Sequence, residues 1–316
     1  MATNQTTVGR DIYLALRQFF ELMPHLKAND FYVTGESYAG KYVPAASYTI
    51  HKENQVEGNP KINLKGLSIG DGAMDPQQQF KGFGSLLWFT GMVDESERAV
   101  FDAYEAKMAT AFAKGDYEGA FHQFDMMLNG DRINYPTYYA NVTGMATNYF
   151  NFEQSPGGSS LTKNFFIDWL KTPDARAATH TGDVPYAVLN ATVEKFLLQD
   201  WMHGVTEFLI PLLEAKGIKV LIYSGQNDII LGPPLTEQFL AQLPWAGLPA
   251  YKAVKKKIWS VPAKDGGTPD LGGYARTVAE YDFVQLVVRG AGHMVPGDQP
   301  ARALDMIERF INGKPF

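Results

Sequence analysis

The sequence predicts an α/β protein: a mostly parallel sheet with helices on both faces and an inserted helical cap. Three observations lead there. Continuous apolar runs at residues 30–34, 64–69, 219–223 and 283–288 are set apart by helical patterns, as in parallel strands buried on both faces. All four runs end in polar, Gly-rich turns, which gathers their side chains at the carboxyl edge of the sheet, where open α/β sheets bind ligands. Between about 75 and 205 the texture changes to helices and loops, which reads as an insertion over that edge. The expected division is therefore 1–75 as core, 76–205 as cap and 206–316 as core.

Residues 7–23 read as an amphipathic helix with Val8, Ile12, Ala15, Leu16 and Phe19 on one face. Strand 30–34 runs into Gly35-Glu36-Ser37-Tyr38-Ala39-Gly40, and 41–52 forms the helix behind it. Strand 64–69 ends at Gly70-Asp71-Gly72. Residues 95–128 are mostly helical, with Glu97, Arg98, Glu105, Lys107, Lys114 and Asp116 toward solvent. Residues 134–158, rich in Tyr, Asn and Gly, read as loop, and 165–170 and 193–201 as further helices. Lys255-Lys256-Lys257 reads as a solvated turn, and Asp298 with Pro300 as a helix start. The five tryptophans, Trp88, Trp169, Trp201, Trp245 and Trp259, read mostly as core or cap packing.

Composition narrows the function. A chain of 316 residues, 45% hydrophobic and 13% aromatic, holds a sizeable core as one large domain or two ordinary ones. Its net charge of −6 has both signs interspersed, so no basic stripe offers a nucleic-acid surface. No apolar run reaches membrane-spanning length. The absence of cysteine excludes disulfides and cysteine-ligated metals. The first residues hold no apolar stretch of the signal-peptide kind. Asn4-Gln-Thr6, Asn141-Val-Thr143 and Asn190-Ala-Thr192 are glycosylation sequons.

The chemistry starts at Ser37. A serine between a strand and a helix, with small residues two places to either side, sits on a turn tight enough to lift Oγ clear of the backbone. Here those neighbours are Gly35 and Ala39. Such a hydroxyl becomes nucleophilic when a histidine takes its proton and a carboxylate fixes the histidine's tautomer. Of six histidines, His293 alone follows a buried-type strand, in Gly290-Ala-Gly-His. Two aspartates follow strands and precede it, Asp71 and Asp228, and position alone leaves the acid open between them. The order Ser37…Asp228…His293 is that of the α/β-hydrolase fold. The amide of Tyr38, the residue after the nucleophile, is the expected oxyanion donor. Glu36 is unusual beside a nucleophile; its plain reading is a glutamate hydrogen-bonded to backbone. Met294 alone reads as packing.

Thr34-Gly-Glu-Ser-Tyr-Ala-Gly-Lys-Tyr-Val-Pro44, Tyr223-Ser-Gly-Gln-Asn-Asp228 and Gly290-Ala-Gly-His-Met-Val-Pro-Gly-Asp-Gln-Pro300 resemble the three signatures of the serine carboxypeptidases, in order and with similar spacing. The nearest resemblance is to the vitellogenic-like branch, supported by Ile69-Gly-Asp-Gly72, Asn141-Val-Thr-Gly144 and the Ala303–Phe310 stretch. The resemblance implies Ser37, Asp228 and His293 as the triad. It implies Glu36 as a recogniser of the substrate's terminal carboxylate and Met294 as a wall of the leaving-group pocket. The activity implied is release of carboxyl-terminal residues from peptides through an acyl-enzyme, favoured at acid pH. No metal or organic cofactor is implied, and the compartment implied is secretory or lysosomal/vacuolar. An esterase or acyltransferase on the same scaffold, or a non-catalytic form, are the alternatives. Oligomeric state and residue preference are not legible.

Two departures accompany the resemblance. Members are typically disulfide-bonded. Members also carry, ahead of the elbow, the first strands of the sheet and a Trp-x-Asn/Gln-Gly-Gly-Pro-Gly loop that gives a second oxyanion amide and contacts to the substrate carboxylate; this sequence holds no such loop. Loss of one oxyanion donor costs on the order of 10²–10³ in rate, so an impaired enzyme is expected. Strand 30–34 is expected at a sheet edge, with Phe31 and Val33 exposed and prone to association.

Overall fold

A computed structural model of the chain describes residues 1–145, 150–154, 165–184, 186–187, 189–263 and 266–316. Its centre is a six-stranded sheet of β1 (Phe31–Glu36), β2 (Leu64–Gly70), β3 (Lys219–Gly225), β4 (Lys257–Val261), β5 (Asp270–Val278) and β6 (Phe283–Val288), in the order β1-β2-β3-β6-β5-β4. The four expected strands are present and pair in parallel. β1 and β3 each run two residues further than expected, because Glu36 still pairs with Gly70 and Gly225 with Val288.

β4 and β5 were not expected. They extend the sheet antiparallel from β6. Gly272 and Gly273 interrupt the apolar pattern of β5, and a Cβ at Gly273 would stand 1.8 Å from the Val287 carbonyl oxygen. Glycine here is the condition for close strand approach, and it erases the signal a reader looks for. The lysine run is solvated as expected, but it is only in part a turn. Lys257 opens β4, and Lys256 Nζ lies 2.8 Å from Glu237.

Helices cover both faces. α1 (Gln5–Leu22) packs outside α2 (Ala39–Glu53). Between β2 and β3 lie α3 (Pro76–Gln79), α4 (Phe83–Phe89), α5 (Glu95–Ala113), α6 (Tyr117–Phe124), α7 (Tyr138–Thr143), α8 (Phe165–Leu170), α9 (Pro173–Ala178), α10 (Ala191–Trp201) and α11 (Thr206–Glu214). After β3 come α12 (Pro233–Leu240), α13 (Leu248–Ala253), α14 (Val295–Asp298) and α15 (Pro300–Asn312). One face of the sheet buries Leu67, Ile69, Val220 and Ile222 against Val43 of α2 and Leu209 and Leu212 of α11. The other buries Leu221, Leu286 and Val288 against Met306 and Phe310 of α15. A separate apolar cluster fills the helices between β2 and β3, from Phe80 and Phe83 through Phe101 and Phe124 to Leu198. It takes in Ile229, Ile230 and Leu231 of the loop after β3.

Five further expectations change. The buried stripe of α1 is Gly9, Tyr13 and Phe20, while Ala15 and Phe19 face outward. Gly9 decides this, since a Cβ there would stand 2.5 Å from the Ala45 carbonyl oxygen of α2, so the helices meet on the glycine. Glu105 turns inward, where its carboxylate accepts the Gly82 N–H at 2.6 Å at the start of α4. Within the expected loop 134–158, Tyr138–Thr143 is a helix capped by Thr137 with Tyr139 buried, while 146–149 and 155–158 lie outside the described residues. Trp88 and Trp169 are substantially exposed, whereas Trp245 and Trp259 are core. β1 stands at the sheet edge, but Phe31 and Val33 are half-buried and not exposed, because Phe31 packs on Phe20 of α1 with ring centroids 5.8 Å apart.

Candidate active site

Ser37 closes β1 and precedes α2 with φ +64°, a left-handed conformation that costs a side-chain-bearing residue about 1–3 kcal/mol. The turn is held on three sides. The Ser37 N–H donates to the Gly70 carbonyl at 2.9 Å, and the Ser37 carbonyl accepts from Gly40 at 2.9 Å and Ala73 at 3.1 Å. A Cβ on Gly35 would stand 2.5 Å from that of Ala39, which is why the small neighbours are needed. Among the described residues the Tyr38 N–H has no acceptor, and it lies at the amino end of α2, where the helix dipole favours negative charge. The Tyr38 ring packs on Trp201 of α10, with centroids 5.5 Å apart.

Asp228 and His293 come from the loops after β3 and β6. His293 Nδ1 lies 2.8 Å from Asp228 Oδ2, both side chains being buried. Asp228 Oδ1 accepts the N–H groups of Ile230 at 2.9 Å and Leu231 at 3.3 Å. With Nδ1 on a carboxylate, the other ring nitrogen is the free base. His293 Nε2 is buried with no hydrogen-bond partner among the described residues. Burial alone pushes the imidazole's pKa down, but the charge and hydrogen bond of Asp228 outweigh it and the net shift is upward. Asp71, Asp228 and His293 could offer ligand atoms within 4.8 Å of one another to a cation. His293 Nδ1 and Asp228 Oδ2 are already engaged with each other, which is the arrangement of a proton-handling pair.

Sequence reasoning missed the clamp on His293. The His293 N–H donates to the Phe150 carbonyl at 2.5 Å, and the Phe150 ring stacks on the imidazole at 5.0 Å. Asn151 Nδ2 donates to Asp298 Oδ2 at 2.8 Å, the same oxygen that accepts the Gly292 N–H at 2.8 Å. Phe152 N–H donates to the Asn227 carbonyl at 3.2 Å. Residues 150–152 thus tie the Asp228 loop to the His293 loop. Asp298 is at the end of α14, and its side chain serves the His293 turn. No local pattern marks Phe150 or Asn151. Asp298, five residues after His293 in a Gly-Asp-Gln-Pro run, had a signal that the helix-start reading absorbed.

Glu36 is mostly buried, and Tyr223 Oη donates to its Oε2 at 3.3 Å. Burial pushes its pKa up to about 7, against the opposing pull of His293. Met294 is half-buried immediately after His293. Asn4, Asn141 and Asn190 are all exposed; Asn4 and Asn190 also cap α1 and α10 through their side-chain carbonyls.

The family model described as "Serine carboxypeptidase" matches residues 1–313. The chain belongs to the serine carboxypeptidase family. The "Venom serine carboxypeptidase" of Apis mellifera is 42% identical over 100% of the chain and 64% of its own length. The "Probable serine carboxypeptidase CPVL" of Homo sapiens is 41% identical over 99% of the chain and 63% of its own length. A vitellogenic carboxypeptidase is among the relatives too. The chain therefore spans just under two thirds of these serine carboxypeptidases. The crystal structure of the prohormone-processing carboxypeptidase Kex1 from Saccharomyces cerevisiae superposes with a TM-score of 0.71 at 19% identity, over 99% of the chain and 68% of Kex1, and confirms the α/β-hydrolase fold. Among the described residues, no helix is long and apolar enough to cross a membrane.

Proposed function

We propose that this chain carries the acyl-transfer machinery of a serine carboxypeptidase, acting on the last peptide bond of peptide substrates. The observation that carries the reading is the buried Asp228–His293 pair, whose outer nitrogen is free, at the same sheet edge as a serine strained to φ +64°. Ser37 Oγ gives its proton to His293 Nε2 as it attacks the scissile carbonyl. Asp228 holds the imidazole in the required tautomer and stabilises the imidazolium. The Tyr38 N–H receives the developing oxyanion. His293 then returns the proton to the leaving amino acid, and water repeats the sequence on the acyl-enzyme.

Glu36 supplies specificity for a free carboxyl terminus. With a pKa near 7 it is protonated over the acid range and can donate to the substrate carboxylate. Above that range two like charges would meet. Met294 lines the place of the leaving residue, and the helices of 76–205 roof the sheet edge. The exposed sequon asparagines fit a glycoprotein of a secretory or lysosomal route.

The test has two arms. A fluorophosphonate probe is expected to label Ser37, and a blocked dipeptide is expected to release its free carboxyl-terminal amino acid at acid pH. Turnover of uncharged esters without dipeptide release would favour an esterase. Absence of labelling would favour a non-catalytic protein.

A further inference from the structure

Asp71 has more attached to it than a turn residue needs. It closes β2 with φ +41°, is fully buried, and donates its N–H to the Tyr223 carbonyl at 2.8 Å. Its Oδ1 accepts the Gly225 N–H at 2.8 Å, which ties β2 to the end of β3. Its Oδ2 is buried and receives no donor among the described residues. A carboxyl oxygen of Asp71, a carboxyl oxygen of Asp228 and a ring nitrogen of His293 all lie within 4.8 Å of one another.

Two buried carboxyl groups this close cannot both ionise cheaply, so they hold one proton between them. Where it resides follows from the donors. Asp228 accepts three N–H groups, from Ile230, Leu231 and the His293 ring, whereas Asp71 accepts one. The negative charge belongs on Asp228 and the proton on Asp71. Burial and then the charge of Asp228 raise the Asp71 carboxyl well above the usual range, with Glu36 at the end of β1 adding repulsion. Tyr223 of β3 and His293 complete the titratable groups around it.

We propose that Asp71 is a positioning residue of the catalytic pair, kept neutral so that its Oδ2–H donates to Asp228 and fixes the carboxylate that orients His293. This rests on the reading of Asp228 and His293 as the hydrolase pair. It places one negative charge beneath the imidazole where a count of carboxylates would place two.

The charge state can be read without turnover. In the full chain with ¹³C-labelled histidine, the His293 ring resonance, assigned by its loss in His293→Gln, is titrated by NMR. Asp71→Asn keeps a donor to Asp228 and carries no charge. It should leave the His293 pKa within about 0.3 pH unit of wild type and fluorophosphonate labelling within about threefold. Asp71→Ala removes the donor and should raise the His293 pKa and slow labelling by about tenfold or more. A fall of about one pH unit or more in Asp71→Asn would mean that Asp71 is ionised in the native protein, and would overturn the proposal. An Asp71→Ala variant indistinguishable from wild type in both readouts would overturn it equally. Absence of labelling in the wild type itself would reject the hydrolase reading, and the NMR titration would still decide the charge of Asp71.

Discussion

The two halves of the candidate site are built differently. Ser37, the proposed nucleophile, stands at the end of β1, an edge strand with no fully buried residue, and is held by backbone hydrogen bonds around a strained turn. Asp228 and His293, the proposed acid and base, stand past the ends of β3 and β6, neighbouring strands in the sheet interior, and are almost wholly inaccessible. They are also gripped from outside by residues 150–152 and Asp298. The contrast has a chemical sense. On the proposed mechanism the serine meets substrate, and it stands where the backbone pushes it outward. On the same mechanism the imidazole holds one tautomer and one orientation through two proton transfers, and it is clamped.

The largest effects should come from breaking either half outright. Ser37→Ala and His293→Ala should each remove activity by about 10⁶-fold, because triad members act as a unit. Ser37→Ala should leave the thermal transition in place, since it deletes one partly exposed hydroxyl. Probe labelling and circular dichroism read the two together, and substantial labelling of either variant would reject the assignment.

Next comes a substitution on the clamped side alone. A Cβ on Gly225 would stand 1.9 Å from the Gly292 carbonyl oxygen and 2.7 Å from that of Ala291, both backbone atoms that cannot swing away. Gly225→Ala should therefore force β3 away from the His293 loop and lower unfolding stability by about 3 kcal/mol. Urea denaturation followed by fluorescence would show it. A loss below about 1 kcal/mol would mean that the loop is softer than the contrast requires.

A milder test removes one part of the clamp. Asp298→Ala deletes the acceptor shared by Gly292 and Asn151. It should cost about 1–3 kcal/mol of stability and slow labelling by about tenfold through a less well placed His293. Labelling at the wild-type rate would show that the other restraints suffice.

Much of this was readable before any coordinates. The four parallel strands, the elbow and the two loops were legible because each is local: an apolar run, then glycine, then a polar residue. β4 and β5 were not, because an antiparallel edge built on Gly272 and Gly273 shows neither a clean run nor alternation. The face of α1 was misread for a related reason. Its contact with α2 is made by Gly9, which a search for apolar side chains passes over. The clamp was invisible on different grounds. Phe150 and Asn151 lie more than a hundred residues from His293, and their role exists only after the chain has folded. Asp71 was visible as a candidate, but its relation to Asp228 depends on β2 and β3 being neighbours, which no run of residues states.

The last test concerns Glu36, which belongs to the Ser37 half of the site yet is mostly buried like the other. Its folded pKa of about 7 lies above the ordinary glutamate value of 4.5, because burial penalises the charge. Between those values the folded chain holds a proton that the unfolded chain releases. Glu36 therefore favours the folded state fully below about pH 4.5, and that contribution is lost as pH rises through 7, amounting to about 3 kcal/mol across the window. Glu36→Gln keeps the shape and cannot ionise. It should flatten the decline of Tm between pH 5 and 8, and it should also remove the rise of KM for blocked dipeptides above pH 7 while leaving ester substrates less affected. A Tm profile unchanged by the substitution would place the carboxyl in water, and equal losses on peptides and esters at every pH would remove it from carboxylate recognition.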